Sequence, residues 1–229
     1  MLECNHMKLS VIIPVYNEIY TIAEIIRRVK EVPIDKEIIV VDDGSTDGTS
    51  NKIDATPGIK IIRLKENSGK GAAVRAGLAI AQGDLIIIQD ADLEYDPHDY
   101  LKMTPPIERG ETSVVYGSRF LRKISTGYLL YYQGNKFLSF LSSLLFAQKI
   151  TDMETCYKMF HRDVLKKIKL KANNFDIEPE ITAKIIKAGY KIKEVPVSYI
   201  GRTFSEGKKT RLTDGISAFF HLIKFRYFD

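Results

Sequence analysis

Two carboxylates placed two positions apart are the residues of this sequence with the clearest capacity for chemistry. Asp90 and Asp92 directly follow the apolar stretch 84–89, which has the pattern of a buried strand. In extended geometry both side chains point the same way, and two like charges held together are costly unless a cation lies between them. Mg²⁺ and Mn²⁺ prefer carboxylate and phosphate oxygens. The pair therefore predicts a divalent metal site, with Glu94 as a third ligand.

The alternative role for these acids is the N-cap of a helix. Asp96 is followed by Pro97, and this pair already supplies a cap and a first helical residue. The cap therefore needs neither Asp90 nor Asp92, and residues 85–88 before them are all Leu or Ile. These observations favour the metal interpretation.

A second acidic pair, Asp42 and Asp43, ends another apolar strand at residues 37–41. The stretch 44–49 that follows is also typical of a turn leading into a capped helix. A turn accounts for Gly44 and Gly48 but not for two acids at the end of a strand. A carboxylate there is suited to accept hydrogen bonds from a nucleobase or from ribose hydroxyls.

Residues 67–71, Asn-Ser-Gly-Lys-Gly, are predicted to open a helix. Free N–H groups at a helix start, together with the cation of Lys70, suit an anion. The spacing matches neither the phosphate-binding loop nor the dinucleotide fingerprint. This segment alone indicates an anion site only weakly.

The composition excludes several classes of protein. With 229 residues, 45% apolar and 28% charged, the chain is typical of one globular domain. A net charge of +5 is too small and dispersed to indicate a nucleic-acid-binding protein. Cys4, Cys156 and four scattered histidines predict neither a disulfide nor a zinc site, and a reducing cytosol fits them. We also expect no secretory leader and no membrane span, and no Ser/His/Asp or Cys/His set indicates a protein nucleophile.

Strands that alternate with helices of ten to fifteen residues predict an α/β fold with a mostly parallel sheet. The predicted strands are residues 9–15, 37–41, 59–64, 84–89, 113–117, 156–160 and 191–199. The predicted helices include residues 22–30, 70–81, 134–147, 163–168, 178–188 and 213–228. Ligands of open α/β sheets bind at the carboxyl ends of strands, so the polar clusters after the first, second and fourth strands should converge on one crevice.

Two helices of the second half are candidates for a membrane interface. The stretch 134–147 is amphipathic, and 213–228 is rich in aromatic residues with Lys224 and Arg226 near its end. An amphipathic stripe also suits a helix that packs on the core. Aromatic and basic residues together favour a helix that lies in the membrane surface.

Four ordered motifs together resemble the inverting glycosyltransferases of family 2, which have the GT-A fold. These motifs are residues 11–18, 40–49, 69–73 and 90–94; further segments at 116–119, 135–136, 151–154, 201–202 and 208–209 are similar to dolichol-phosphate mannose synthases and their bacterial and archaeal relatives. The resemblance covers nearly the whole chain from Lys8. It implies one domain over residues 8–229, with a donor half at 8–120, an acceptor half with amphipathic helices at 121–229, and a tail at 1–7.

The resemblance also implies roles for particular residues. The metal and the diphosphate would be held by Asp90, Ala91 and Asp92, and the acceptor phosphate by Arg119 and Lys136. Of these, Asp90, Asp92 and Arg119 are predicted to be catalytic, as is Arg202. The remaining nucleotide-sugar residues are Pro14, Tyr16, Glu18, Val41, Asp42, Asp43, Gly69, Lys70, Arg202, Lys208 and Lys209. The synthases commonly carry Gln at the position of Glu94, which leaves the donor open between GDP-mannose and UDP-glucose.

The implied reaction moves mannose or glucose from the nucleotide sugar to a polyprenyl monophosphate, dolichyl or undecaprenyl, with Mg²⁺ or Mn²⁺ as cofactor. The enzyme would lie on the cytoplasmic face of a membrane, and a separate membrane-protein subunit is a further partner open to it. The alternatives are a family 2 transferase with a glycan or cell-surface polysaccharide acceptor, a sugar-phosphate nucleotidyltransferase, and a non-enzymatic binding module. Residues 14–18 lack the Gly-rich signature of a nucleotidyltransferase, which disfavours that alternative.

Overall fold

The computed structural model describes residues 7–122, 129–202 and 212–228, with the backbone alone at 129–131 and 212–214. Most of the predicted tail therefore lies outside the described residues. The strands are β1 (Leu9–Val15), β2 (Lys36–Asp42), β3 (Lys60–Arg63), β4 (Leu85–Ile88), β5 (Val114–Ser118), β6 (Lys158–His161) and β7 (Ile192–Pro196). The α-helices are α1 (Ile22–Glu31), α2 (Thr49–Asp54), α3 (Lys70–Ile80), α4 (Tyr100–Glu108), α5 (Leu129–Phe146), α6 (Ile177–Lys187) and α7 (Leu212–Tyr227).

The seven strands form one sheet in the order β3-β2-β1-β4-β6-β5-β7. β1 pairs in parallel with β2 and β4, β2 with β3, and β5 with β7. β6 is antiparallel to both of its neighbours, β4 and β5. The prediction of a mostly parallel sheet is confirmed, and strands from both halves of the chain share it.

The middle of the sheet is fully buried, which explains the nearly continuous apolar runs of its strands. All seven residues of β1 and all four of β4 are buried. Strands covered on both faces need apolar side chains on both, and β-branched residues suit that environment. α1 buries Ile22, Ile25, Ile26 and Val29 along one face against this core.

Several predicted boundaries differ from those in the structure. β4 ends at Ile88, and Ala91 and Asp92 lie in a turn that continues into Leu93 with a left-handed φ of 64°. The expectation that Asp90 and Asp92 continue an extended strand is therefore wrong. The predicted helix at 163–168 is a 3₁₀ segment, Arg162–Lys166, and α5 begins five residues before the predicted start.

α5 and α7 pack against each other, and α7 also packs against α6. Leu138 of α5 and Leu222 and Phe225 of α7 are buried. Other apolar side chains of the two helices stay exposed, and these are Phe137, Phe140, Leu144, Ile216, Phe220 and Tyr227. Each helix thus has a core face and an exposed apolar face. No helix among the described residues is long and apolar enough to cross a membrane.

Candidate active site

A cavity of about 310 Å³ opens beside the carboxyl ends of β1, β2 and β4. Its wall includes residues from the second half of the chain as well, among them Glu154, Phe175 and Arg202. Seven carboxylates line it: Glu18, Asp43, Asp90, Asp92, Glu94, Glu154 and Glu178. The cations among its lining residues are Lys70 and Arg202. The convergence of the polar clusters on one crevice is confirmed.

The loop after β1 is fixed by the loop after β2. The backbone N–H of Asn17 donates to Ser45 Oγ at 3.0 Å, and that of Glu18 donates to Thr49 Oγ1 at 2.9 Å. The Oδ1 atom of Asn17 in turn accepts from the backbone of Thr46 at 2.8 Å. The polar residues at 45–49 therefore hold the cavity wall formed by Pro14, Tyr16 and Glu18. They need no contact with a ligand to explain their presence.

Asp42 and Asp43 have different environments. Asp43 lines the cavity, and its two oxygens accept from the backbone N–H groups of Ser68 at 2.8 Å and Gly69 at 2.9 Å. Asp42 is turned toward α2, where it accepts from Ser45 N at 3.0 Å and from the Ser50 hydroxyl. Asp42 and the buried Val41 are not among the lining residues.

The expectation of free N–H groups at residues 67–71 is wrong for Ser68 and Gly69, because Asp43 takes both. Gly69 has a φ of 95°, and an added Cβ would lie 2.4 Å from the carbonyl oxygen of Asn173. A side chain at this position would therefore collide with the backbone on the other side of the cavity. The glycine is required by that close approach.

Lys70 is shared between two acids from opposite halves of the chain. Its Nζ atom lies 2.8 Å from Asp90 and 3.0 Å from Glu178, and Glu178 also forms a buried ion pair with Lys158. Burial opposes a charge on Lys70, but the two carboxylates raise the pKa of Lys70 well above its usual value. Burial likewise opposes ionisation of Glu178, and the two lysines nevertheless lower the pKa of Glu178. This network of alternating charges fixes Asp90 at the cavity wall.

Asp90 and Asp92 fit a divalent cation by their donor atoms and by the charge around them. Burial, with the charges of Asp90 and Glu94, raises the pKa of Asp92 to about 7. Carboxylates that repel each other in this way gain from a cation between them, and Mg²⁺ commonly binds through one or two carboxylates plus substrate phosphates.

Within the described ranges, no group of three or more Asp, Glu, His or Cys residues is arranged to hold a metal ion. Glu94 accepts hydrogen bonds from Tyr199 Oη at 2.7 Å and from the backbone N–H of Arg202 at 2.8 Å. Its carboxylate therefore holds the segment that carries Arg202. The predicted role of Glu94 as a third metal ligand finds no support in this arrangement.

Arg202 extends its guanidinium group among the acids of the cavity. Its Nη1 and Nη2 atoms lie 3.1 Å from the two carboxylate oxygens of Glu18, and Nη2 lies 3.5 Å from Asp92. The predicted donor residues Glu18 and Arg202 are thus brought together from opposite ends of the chain. The predicted partners Lys208 and Lys209 lie outside the described residues.

The two predicted acceptor-phosphate residues are not among the residues that line the cavity. Arg119 is nearly buried and forms a bidentate ion pair with Asp152, and its guanidinium also lies 5.0 Å from the ring centre of Tyr199. Lys136 is exposed on α5, with its ammonium 4.8 Å from the ring centre of Tyr132. Their roles toward an acceptor stay predictions.

Several residues that line the cavity are not among the site residues predicted from the sequence. These are Val15, Asn67, Ala73, Tyr95, Glu154, Cys156, Asn174, Phe175 and Glu178. The sequence held a signal for one of them. Lys158 lies in an otherwise apolar strand segment, and a fully buried lysine requires an acid as partner. The acid is Glu178, in the first turn of α6.

Comparison with known proteins gives this arrangement a family context. Residues 10–169 match the family described as Glycosyl transferase family 2. An uncharacterized protein of Methanocaldococcus jannaschii is 31% identical over 233 residues, which cover 99% of this chain and 95% of that protein. A dodecaprenyl-phosphate galacturonate synthase of Rhizobium johnstonii is 29% identical across 95% of this chain. This chain spans 64% of the length of that synthase.

Solved structures share the architecture. The crystal structure of glucosyl-3-phosphoglycerate synthase from Mycobacterium tuberculosis, in complex with Mn²⁺, UDP and phosphoglyceric acid, superposes with a TM-score of 0.74 at 20% sequence identity. The match covers 97% of this chain and 80% of that one. The fold predicted from the sequence, GT-A, is confirmed.

Proposed function

The chain belongs to glycosyl transferase family 2, and we propose that it transfers a hexose, mannose or glucose, from a nucleotide-diphospho-sugar to a polyprenyl monophosphate. The donors proposed are GDP-mannose or UDP-glucose, and the acceptor lipid is dolichyl or undecaprenyl phosphate. The observation that carries the proposal is the cavity at the strand ends, where Asp90 and Asp92 meet Lys70 and Arg202.

The charges of the cavity suit a nucleoside diphosphate bound with a cation. The wall contains seven carboxylates and two basic side chains, so a diphosphate alone would meet net repulsion. We infer that Asp90 and Asp92 hold Mg²⁺ or Mn²⁺, which when bound neutralises the charge that develops on the departing diphosphate. Arg202 and Lys70 add fixed positive charge at the same end of the cavity, and such preorganised charges stabilise a leaving anion.

A phosphate acceptor explains how the reaction proceeds without a dedicated base. A polyprenyl monophosphate is already an anion near neutral pH, so its oxygen attacks the anomeric carbon without losing a proton to the protein. The remaining task is electrostatic, because two anions must approach each other. Arg119 and Lys136 are the residues we assign to the acceptor phosphate. Arg119 would do so with the part of its guanidinium that Asp152 leaves accessible.

The exposed apolar faces of α5 and α7 support docking on a membrane surface. Phe137 of α5 stacks on Phe219 of α7, with ring centres 6.5 Å apart, so the two faces adjoin. Phe140 and Phe220 are 65% and 63% exposed. The exposed cations Lys136, Lys224 and Arg226 lie on the same two helices. Aromatic and basic side chains in this combination suit an anionic leaflet, and we place the enzyme on the cytoplasmic face.

The name of the Rhizobium johnstonii relative supports a lipid-phosphate acceptor, since that protein is described as a dodecaprenyl-phosphate galacturonate synthase. The experiment that tests the proposal incubates the protein with Mg²⁺ and radiolabelled GDP-mannose, UDP-glucose or UDP-GlcNAc in the presence of polyprenyl phosphate. Label that enters the organic phase with one donor supports the transferase. In a parallel reaction with added pyrophosphate, release of the labelled sugar as sugar 1-phosphate together with nucleoside triphosphate would identify a nucleotidyltransferase. Binding without any product would identify a binding module.

A further inference from the structure

The carboxyl group of Glu154 lines the cavity, and the proposed reaction gives it no role. Its Oε1 atom is shut off from solvent. Within the described part of the chain, no group donates a hydrogen bond to that oxygen. A buried acceptor left without a donor costs about 1–3 kcal/mol, and more when it is charged. Such groups are rare in native proteins and call for an explanation.

Lys158 and Arg119, the two cations whose charges act on Glu154, are paired with other acids. Lys158 donates to the carboxylate of Glu178 and to the carbonyl oxygen of Thr155. Arg119 directs Nε and Nη2 to Asp152, at 2.7 Å each. By contrast, Asp43, Asp90 and Glu94 each have an N–H or ammonium partner within the cavity wall, namely Gly69, Lys70 and Arg202. The side chain of Glu154 therefore lines the cavity and keeps acceptor capacity that no described residue uses.

The backbone on both sides of Glu154 is fixed. The N–H of Met153 donates to Ser139 Oγ at 2.9 Å, and Thr155 Oγ1 donates to the carbonyl oxygen of Gly117 at 2.7 Å. One residue further back, the N–H of Asp152 donates to Glu194 at 3.1 Å. Because these bonds tie the loop to α5, β5 and β7, the carboxyl group cannot leave the cavity by a local shift of the backbone.

We propose that Glu154 accepts a hydrogen bond from a hydroxyl group of the sugar that the nucleotide donor carries, and so helps to select that sugar. The inference rests on the proposed function. Seven carboxylates already line the cavity, so a neutral donor group suits this position better than a further anion. Rotation about the terminal bond of a glutamate is soft and roughly two-fold, which lets either oxygen meet the ligand.

The protonation of Glu154 is consistent with a neutral partner. Burial is the main cause that raises the pKa of Glu154 to about 7, helped by the charge of Glu178 and opposed by that of Lys158. Both the acid and the carboxylate present an oxygen that accepts from a hydroxyl. A hexose hydroxyl therefore binds in either state.

The test compares Glu154→Met, which removes the acceptor, with Glu154→Gln, which keeps one. Binding is measured by calorimetry with Mg²⁺, using UDP and GDP alone and then UDP-glucose and GDP-mannose. The wild type shows which diphosphate and matching nucleotide sugar the protein binds. For that nucleotide sugar, the affinity of the Met variant should be at least about tenfold lower than that of the wild type. Its affinity for the free diphosphate should change less than about twofold, and the Gln variant should stay within about threefold of the wild type.

Deoxy-sugar donors, measured with the wild type and with the Met variant, give a second test. Removal of the hydroxyl that meets Glu154 should weaken wild-type binding by about the same factor as the Met substitution, and the two losses should not add. An equal loss of affinity for the free diphosphate, or an unchanged affinity of the Met variant for the nucleotide sugar, would overturn the proposal. None of these measurements contains an acceptor, so a failure of transfer to polyprenyl phosphate leaves their outcome intact.

Discussion

The guanidinium group of Arg119 and the carboxylate of Asp152 form a buried bidentate ion pair, with Nε and Nη2 each 2.7 Å from a carboxylate oxygen. The backbone N–H of Arg119 donates to the same carboxylate at 2.9 Å. Asp152 has no solvent exposure. The pair ties the end of β5 to the loop that carries Glu154, so Arg119 has a structural role whatever its role toward an acceptor.

Removal of Arg119 alone should destabilise the protein strongly. Arg119→Met leaves Asp152 buried without its cation, and breaking one side of such a pair costs about 3–5 kcal/mol. The double variant Arg119→Met with Asp152→Leu should recover most of the free energy of unfolding, which urea denaturation measures. If Arg119 also binds the acceptor phosphate, the double variant binds nucleotide normally but transfers poorly. Full transfer by the double variant would assign Arg119 to structure alone.

Removal of the proposed metal site should stop transfer and leave the fold intact. Asp92→Asn takes one carboxylate from the pair, and we expect turnover to fall by about a hundredfold or more. Circular dichroism should be unchanged, because the raised pKa of Asp92 marks its charge as a cost to the fold. EDTA should reproduce the loss in the wild type, and added Mg²⁺ or Mn²⁺ should reverse it. Asp35→Asn, an exposed acid before β2, is the matched control; full turnover in chelator would exclude the metal.

The pH dependence of stability should reveal Glu154. Its pKa is about 7 in the folded protein against an ordinary value of 4.5, so between these values the folded state retains a proton that the unfolded state has lost. Stability from this group is present below pH 4.5 and is lost as the pH rises toward 7. The free energy of unfolding of Glu154→Gln should therefore rise relative to that of the wild type, by on the order of 3 kcal/mol between pH 4 and pH 8. Parallel denaturation profiles of the two proteins would contradict the raised pKa.

Membrane docking should depend on exposed apolar residues that the fold does not need. Deletion of the end of α7 would remove Phe225, which is buried, so substitutions are the cleaner test. Phe140→Ser with Phe220→Ser should reduce co-sedimentation with anionic liposomes while nucleotide binding survives. Substitution of Lys224 and Arg226 should weaken docking by about 1 kcal/mol each at low salt. Leu101→Ser, on an exposed position of α4, is the control; unchanged sedimentation of the double variant would favour a purely structural role for the two helices.

The sequence predicted the elements of the sheet well because burial alone determines them. The predicted first strand coincides with β1, where all side chains are buried and apolar residues are needed on both faces. The fifth strand, predicted at 113–117, is observed as Val114–Ser118. Local pattern was sufficient for these strands, and it also indicated that the polar clusters lie together at the strand ends.

Pairings between distant residues were beyond the reach of local pattern. Asp43 takes the N–H groups of Ser68 and Gly69, and Lys70 is held by Glu178, more than a hundred residues away. Neither contact follows from spacing along the chain, because both depend on how β2, α3 and α6 approach each other. For the same reason, segment 151–154 resembled the family in sequence, but the sequence did not show that Glu154 has a buried oxygen to which no described residue donates a hydrogen bond.

The measurement that tests the proposed reaction most directly compares acceptors under one set of conditions. The protein, Mg²⁺ and the radiolabelled donor that it uses are incubated with polyprenyl phosphate, with free polyprenol or with 3-phosphoglycerate, and the products are separated by solvent extraction and chromatography. If the acceptor is a lipid phosphate that attacks as an anion without a base, the label should appear on polyprenyl phosphate. No label should appear on polyprenol, even when polyprenol is supplied at high concentration. Label on polyprenol or on 3-phosphoglycerate, with none on polyprenyl phosphate, would contradict it.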